Sequence, residues 1–446
     1  MRRAHRLPCD GATILAVEDH RLPVVRFALA LPRGAAGDPE GQTGLTYAAS
    51  ELMFRGTAHK DRQTFNMALE TLGSAVDTSV GSDTTMLGGV ALQRHLEKTL
   101  ALVCEALTEP AFGDEQRKLY VHETISELRA ARDDDNQVAA HFLYQAFYAE
   151  TPWHHPLEGE VADIMGLTSA ALRHHHRALW CRQGAVIAFA GAIDAATAER
   201  LGTELLTALT DDSPQPTPKP VLRRPTKREI LLVDKPDRTQ VQMRLFTPGL
   251  AGNHPDILPF WLGVVAFGGT FTAPFCREVR DKRGWSYVAH AGFYRGGLHT
   301  RPVIMESAPA QRDAIDCLML ELALFDQLVA GEIADEAVAL ARSHSINRHP
   351  FSIATAHDLL DVEMRHAMLG LPPDEIQRFV ATLEGLPTEV CLAALRDHLK
   401  AQAAQVVLVA TAQDVLPHLT RALPDATIEV VDFREGLELN GASDAI

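Results

Sequence analysis

Apolar runs that predict strands occur twice in the same order along the chain. ILAV at 14–17 is followed by a polar turn and then by VVRFALALP at 24–32; ILLV at 230–233 is followed by a polar turn and then by VQMRLFTP at 241–248. Short runs rich in Val, Ile and Phe and bounded by turn residues read as strands. Pro32 and Pro248 stand 216 positions apart, as do Ile14 and Ile230. AVIAFAGAID at 185–194 and VVLVATAQD at 406–414 make a second match, with Asp194 and Asp414 separated by 220. Two matches at nearly equal offset predict a duplicated unit. Because the intervening turns are short, 13–17 is expected to pair antiparallel with 27–31, and 230–233 with 241–246.

Helical periodicity fills the rest of each half, at 95–107, 114–132 and 196–209 and again at 312–329, 333–345 and 389–400. Between the halves, 210–228 carries five prolines and no apolar period, which predicts an exposed tether. The expected fold is α+β, with two homologous domains, 1–209 and 229–446, joined by the linker 210–228. Each domain should pack helices on a mostly antiparallel sheet. The regular strand–helix alternation of a parallel α/β fold is missing.

Composition narrows the function. The 446 residues are 46% hydrophobic and 22% charged, which is globular and not disordered. A net charge of −16 argues against nucleic acid or an anionic membrane as the main partner. Apolar runs such as 186–190 and 406–410 are too short to span a bilayer. After Arg2 and Arg3 only Ile14–Val17 offers an apolar stretch, too little for a secretory core. A cytoplasmic location is expected, or a periplasmic one if a leader was removed. The six cysteines are scattered without a CxxC pair, so buried thiols are expected.

The segment TGLTYAASELMFRGT at 43–57 predicts a helix that Thr43 can cap and Gly56 can end. Leu45, Ala48, Ala49, Leu52 and Met53 form its apolar face, with Tyr47, Ser50 and Glu51 on the adjoining stripe. This segment resembles the zinc-site helix of the pitrilysin, insulinase and mitochondrial-processing-peptidase family. Those inverzincins carry His-x-x-Glu-His in a frame like GLAHFLEHMLFRGT. Aligned on that frame, Tyr47 and Glu51 stand where the family has its zinc histidines, and Ser50 stands where it has the general-base glutamate. Gly44, Leu45, Phe54, Arg55, Gly56 and Thr57 match the frame. Glu127, 76 residues after Glu51, falls where the family has its third ligand, and Tyr120 where active members carry a further glutamate.

The resemblance implies a LuxS/metallopeptidase-like fold whose catalytic residues are replaced. Glu51 and Glu127 offer two carboxylates and no imidazole, a poor set for catalytic zinc. A serine hydroxyl does not ionise near neutral pH to act as a general base. No metal and no catalytic residue are expected in this chain, and Tyr47, Ser50, Glu51 and Glu127 should form a solvated, vestigial cleft wall. Among the 20 histidines, no HExxH or HxxEH occurs. The adjacent His174, His175 and His176 point in different directions on a helix and cannot converge on one ion. His154 and His155, in TPWHHPLEG, resemble a family loop.

FGGTFTAPFCREVRDKRGWSYVAHAGF at 267–293 resembles a second family element, a glycine-rich turn and helix followed by LREKRGLAYSV. The resemblance implies that Arg280 and, seven residues on, Tyr287 bind substrate beside the scissile bond. Gly268 and Gly269 fall in the glycine run held to contact substrate in non-catalytic subunits; a turn needing positive φ would explain them equally. Gly284 can end the helix in a left-handed conformation, with Arg280 on its last turn and Tyr287 on the next strand. Arginine and phenol are donors suited to a peptide carbonyl.

A chain that has lost the zinc motif but kept the Arg/Tyr pair implies a non-catalytic subunit of a heterodimeric zinc metallopeptidase. Its partner would be a half-size homologue bearing HxxEH and holding the zinc. The substrate would be a peptide or unfolded polypeptide in a shared chamber. The alternatives are a scaffold or assembly subunit, as in peptidase-derived core subunits, and a self-sufficient hydrolase. The last lacks a GxSxG elbow or a Cys/His site.

Overall fold

A computed structural model describes residues 4–9, 11–148, 151–214 and 217–436; Arg2 and Arg3, and residues 215 and 216 of the linker, lie outside them. The chain forms two six-stranded sheets. The first contains β1 (Ala4–Cys9), β2 (Ala12–Glu18), β3 (Val24–Leu31), β4 (Ala75–Val80), β5 (Thr85–Leu92) and β6 (Val186–Gly191) in the order β1-β2-β6-β3-β5-β4. The second contains β7 (Glu229–Asp234), β8 (Gln242–Pro248), β9 (Ala289–Gly292), β10 (Pro302–Ser307), β11 (Gln405–Ala410) and β12 (Thr427–Asp432) in the order β12-β7-β11-β8-β10-β9. Five strands therefore correspond one to one. The edge strand does not: β1 comes from the start of its half and runs antiparallel to β2, whereas β12 comes from the end of its half and runs parallel to β7.

Most neighbours are antiparallel, as expected, but the predicted pairing of β2 with β3 and of β7 with β8 does not occur. β6 inserts between the first two, parallel to β2 with Ile14 opposite Ile187 and antiparallel to β3 with Phe27 opposite Phe189. β11 does the same in the second sheet, with Ile230 opposite Val406 and Leu245 opposite Val406 on its other side. The reason is burial. Every residue of β6 and of β11 is buried, and an unbroken apolar strand needs a central position with both faces covered. The turn at 19–23 is long enough to cross the ~10 Å between next-nearest strands.

The second face of each sheet is covered by the other half. Helix Asp135–Tyr148 places Val138, Phe142 and Phe147 against Val233, Phe246, Val407 and Val409 of the second sheet. Helix Ala356–Met368 places Leu359, Leu360 and Met364 against Leu15, Val17, Ala188 and Ala190 of the first. Ion pairs fasten both crossings: Asp135 with Lys235 at 2.5 Å, Glu363 with Arg6 and Asp361 with Arg26 at 2.7 Å each.

The described part of the linker has neither helix nor strand, yet it does not hang free. Trp153 Nε1 donates to the Pro218 carbonyl at 2.8 Å, the Arg223 amide donates to Phe147, and Leu222 packs beside helix Asp135–Tyr148. One stretch also exceeds the sequence expectation about apolar length. Helical residues Ile257–Lys282 are long and apolar enough to cross a membrane, but half of the most apolar window is buried inside the protein. The stretch breaks near Thr270 and packs against helices of its own half.

Candidate functional site

The degenerate motif lies on helix Leu45–Leu52, whose apolar face joins the first core. The expected Thr43 cap is replaced by a different device. Gly44 is the N-cap at φ 81°, and a Cβ there would lie 2.0 Å from the Glu158 carbonyl oxygen. The helix start is thus pressed against the PLEG loop, an approach open only to glycine. Thr43 instead donates to Asp163 at 2.7 Å and accepts from the Glu160 amide at 2.8 Å. The first-turn amides are served by Asp38, which accepts from the Thr46 amide at 2.9 Å and from its hydroxyl at 2.5 Å. Burial pushes the Asp38 carboxyl up to about 7 against these hydrogen bonds. At the far end the helix stops at Leu52 and Met53, and Gly56 (φ 127°) bridges to Asp61 in the loop beyond.

Of the three replaced positions, Ser50 is fully buried, and its hydroxyl has no hydrogen-bond partner among the described residues. This corrects the expectation of a solvated wall at that position: the base site has been absorbed into the core. Tyr47 and Glu51 are half-buried and Glu127 is exposed. Burial, with Glu158, Glu51 and Glu127 adding negative charge, pushes the Tyr47 phenol up to about 12. Burial also raises the Glu51 carboxyl, opposed by Arg55 and a hydrogen bond with Thr78 and reinforced by Glu127 and Asp77. The structure therefore gathers Tyr47, Glu51 and Glu127, as the alignment implied, and adds Glu158. Their donors are all oxygens, and the phenol keeps its proton at neutral pH. That set does not fit a catalytic zinc.

Beside it, a cavity of about 490 Å³ is lined by Glu127, Arg132, His141, Glu158 and Glu160. Tyr120 is buried under the Arg55 guanidinium, which pairs with Glu123 at 2.6 Å. Here a glutamate three residues away from the aligned position holds the arginine.

The histidine run diverges, as the helix geometry requires. The His175 ring meets the Thr46 hydroxyl at 2.8 Å, the His176 ring meets the Leu107 carbonyl at 2.8 Å, and burial lowers both to about 4. The buried Asp38–Thr46–His175 network was not anticipated; its members are 129 positions apart in the chain at the widest pair bonded, and no local spacing announces it.

The second motif sits on the other half. Helical residues Arg277–Lys282 end at Gly284 (φ 65°), as expected, and the Gly284 amide donates to Arg280. The Arg280 guanidinium donates to Asp281 at 2.8 Å and to the Phe271 carbonyl at 2.6 Å, and lies 3.5 Å from the Phe271 ring centroid. The Asp281 hydrogen bond and charge raise its pKa. Tyr287 precedes β9 and is not on it; the residue is 86% exposed, next to the exposed Val288. Arg280 thus has the acidic partner of an ordinary surface pair, while Tyr287 stands largely exposed.

The glycine run corrects the sequence reading. Val265–Gly269 is helical, and neither Gly268 nor Gly269 has positive φ. Gly268 is buried, with a Cβ position 2.4 Å from that of Ala291; at Gly269 a Cβ would crowd Val265. Gly268 is small because β9 passes close over it at Ala291.

Two sheet-and-helix units of one design, with the 43–57 motif on a helix of the first and the 267–293 motif in the second, define a peptidase-type fold. The chain belongs to the insulinase family, peptidase family M16. The profile described as insulinase (peptidase family M16) matches residues 13–161, and that described as peptidase M16 inactive domain matches 166–342. An uncharacterised zinc protease of Streptomyces coelicolor is 24% identical over 298 residues, covering 64% of each chain; the match therefore spans just under two thirds of that relative's length. The mitochondrial-processing peptidase subunit beta of Saccharomyces cerevisiae is 20% identical over 192 residues, 43% of this chain and 41% of its own. Among solved structures, a peptidase M16 inactive domain from Pseudomonas fluorescens superposes with a TM-score of 0.84 at 20% identity, covering 96% of this chain and 99% of its own. A protease from Helicobacter pylori gives 0.81 at 14% identity, covering 92% and 100%.

Proposed function

We propose that this chain is the non-catalytic subunit of a heterodimeric zinc metallopeptidase. It would supply Arg280, Tyr287 and half of a closed chamber to a homologous subunit that bears HxxEH and the zinc. The observation that carries the reading is the contrast between the two motifs. Ser50 is buried at the general-base position beside an all-oxygen donor set, while Tyr287 stands 86% exposed next to a braced arginine.

In the partner's chamber, the Arg280 guanidinium and the Tyr287 phenol would each donate to the carbonyl of a bound peptide or unfolded segment. Donors fixed in advance stabilise the charge that grows on that oxygen as water attacks. Arg280 is held for this by Asp281, the Phe271 carbonyl and the Phe271 ring. The zinc, with its activated water, would belong to the partner, and no step of the chemistry passes through Ser50 or Glu51.

Similarity to cytochrome b-c1 complex subunit 1 of Bos taurus, 20% over 185 residues, supports a second reading: a scaffold subunit with no proteolytic role. Co-expression with an HxxEH-bearing half-size homologue separates the two. The proposal expects a specific 1:1 complex on sizing that cleaves unfolded peptides. A chain that stays monomeric or only self-associates in that company, or a complex without peptidase activity, speaks for the second reading.

A further inference from the structure

Outside the residues of both motifs, two histidines and a carboxylate converge at a helix junction. His254 and Asp256 belong to the turn that starts helix Ile257–Val264, and His398 is the last residue of helix Thr388–His398. One ligand atom from each lies within 4.8 Å of the other two. His398 Nε2 is 2.9 Å from Asp256 Oδ2, and His254 Nδ1 is 4.0 Å from the same oxygen. We infer that His254, Asp256 and His398 form a binding site for a divalent cation of the zinc class. This site is separate from the degenerate motif and independent of the function proposed above.

The donor chemistry fits. Imidazole nitrogen with carboxylate oxygen is a zinc-type set, with bonds of ~2.0–2.2 Å that place tetrahedral ligands ~3.4 Å apart. The separations of 2.9 and 4.0 Å bracket that value. The Asp256 amide donates to His254 Nδ1 at 3.1 Å, which keeps the ring proton on Nε2 and engages the single Nδ1 lone pair. A metal would exchange that weak bond for coordination. Water can supply the fourth ligand, since Asp256 is exposed and both histidines are half-exposed.

The scaffold also fits. The two helices cross closely at Gly263, where a Cβ would lie 2.8 Å from Leu395, so the ends that carry Asp256 and His398 are fixed by packing. Phe260 and Phe293 form a ring cluster with the His398 imidazole on the protein side. The carbonyl end of helix Thr388–His398 favours a cation. The cavity beside the degenerate motif does not reach these residues, which assigns the ion to structure. From this turn the Gly252 amide reaches Gly297 and the Gly249 amide reaches Arg301, whose guanidinium pairs with Asp83 of the first half at 2.6 Å. An ion here would brace the turn that supports that contact between the halves. Such an ion would run against the expectation that this chain holds no metal. The ligands are 142 positions apart, so no motif spacing reveals them.

The test uses the full chain, stripped with chelator and titrated with zinc alone. The expected result is uptake of one zinc per chain with a rise in thermal midpoint, and a cobalt-substituted form with visible bands of a tetrahedral site. Uptake should be lost in His398→Gln and in Asp256→Asn, both of which preserve side-chain volume and hydrogen bonding. It should persist in the double variant Glu51→Gln, Glu127→Gln. No zinc uptake by the stripped chain overturns the inference. So does uptake that survives both substitutions at the junction, and so does uptake abolished by the Glu51/Glu127 variant.

Discussion

Ser50 is the residue at which loss of the metal motif has the plainest physical mark. A buried hydroxyl without a partner costs stability, because its desolvation is not repaid. Ser50→Ala should therefore stabilise the fold by about 1 kcal/mol, read as a higher urea midpoint at unchanged slope. A working catalytic position would show that gain only at the expense of activity. Glu321 makes a second residue-level case. It is fully buried on helix Ala314–Ala330, and burial pushes its carboxyl up to about 7 against hydrogen bonds with Ser307 and Cys317 and the charge of Arg244. Its folded pKa lies above the ordinary value of 4.5, so its contribution is full below that value and is lost as pH rises through about 7. Glu321→Gln should abolish this part of the slope and raise stability at pH 8 relative to wild type by up to roughly 3 kcal/mol. Denaturation curves at pH 5 and pH 8 check it. Asp38, also raised to about 7, leaves a second slope in the same window. Nothing in the sequence marks either carboxylate as buried, because each depends on elements distant in the chain.

At the scale of elements, the legible parts were those with local cause. The apolar face Leu45–Met53, the stop at Gly284 and the three matched strand pairs β2/β7, β3/β8 and β6/β11 all follow from short-range period and turn chemistry. The pairing of β2 with β3 was misread because the strand between them arrives more than 150 residues later. The unbroken apolar run of β6 already signalled a central place, and that signal outweighs a short turn. Gly268 was misread for a similar reason: a glycine looks the same in a turn and under a crossing strand, and only the proximity of Ala291 decides. Gly44 tests the close approach directly. Gly44→Ala should cost roughly 1–3 kcal/mol, because it combines positive φ with a Cβ 2.0 Å from the Glu158 oxygen. Chemical denaturation reads that loss, and the displaced Glu158 loop should also change the cavity beside Glu127.

The whole molecule is two duplicated units that each cover the other's sheet. Sequence showed the duplication, but an amphipathic helix does not declare which sheet it will cover. Helices Asp135–Tyr148 and Ala356–Met368 leave their own halves for the opposite one. Residues 1–209 expressed alone would expose Leu15, Val17, Ala188 and Ala190, together with the apolar face of helix Asp135–Tyr148. Each half alone should therefore aggregate or remain unfolded, while the two co-expressed should reassociate; circular dichroism and sizing distinguish these outcomes.

Action of Arg280 and Tyr287 on substrate held at a partner's zinc is tested by the turnover of an unfolded peptide by the reconstituted heterodimer carrying Arg280→Ala or Tyr287→Phe. Removal of such a donor should lower turnover by roughly 10²–10³, with poor rescue by Arg280→Lys, which lacks the planar fork. The 1:1 complex and the partner's zinc content should be unchanged. Near-normal turnover in both variants, with the complex intact, would contradict it.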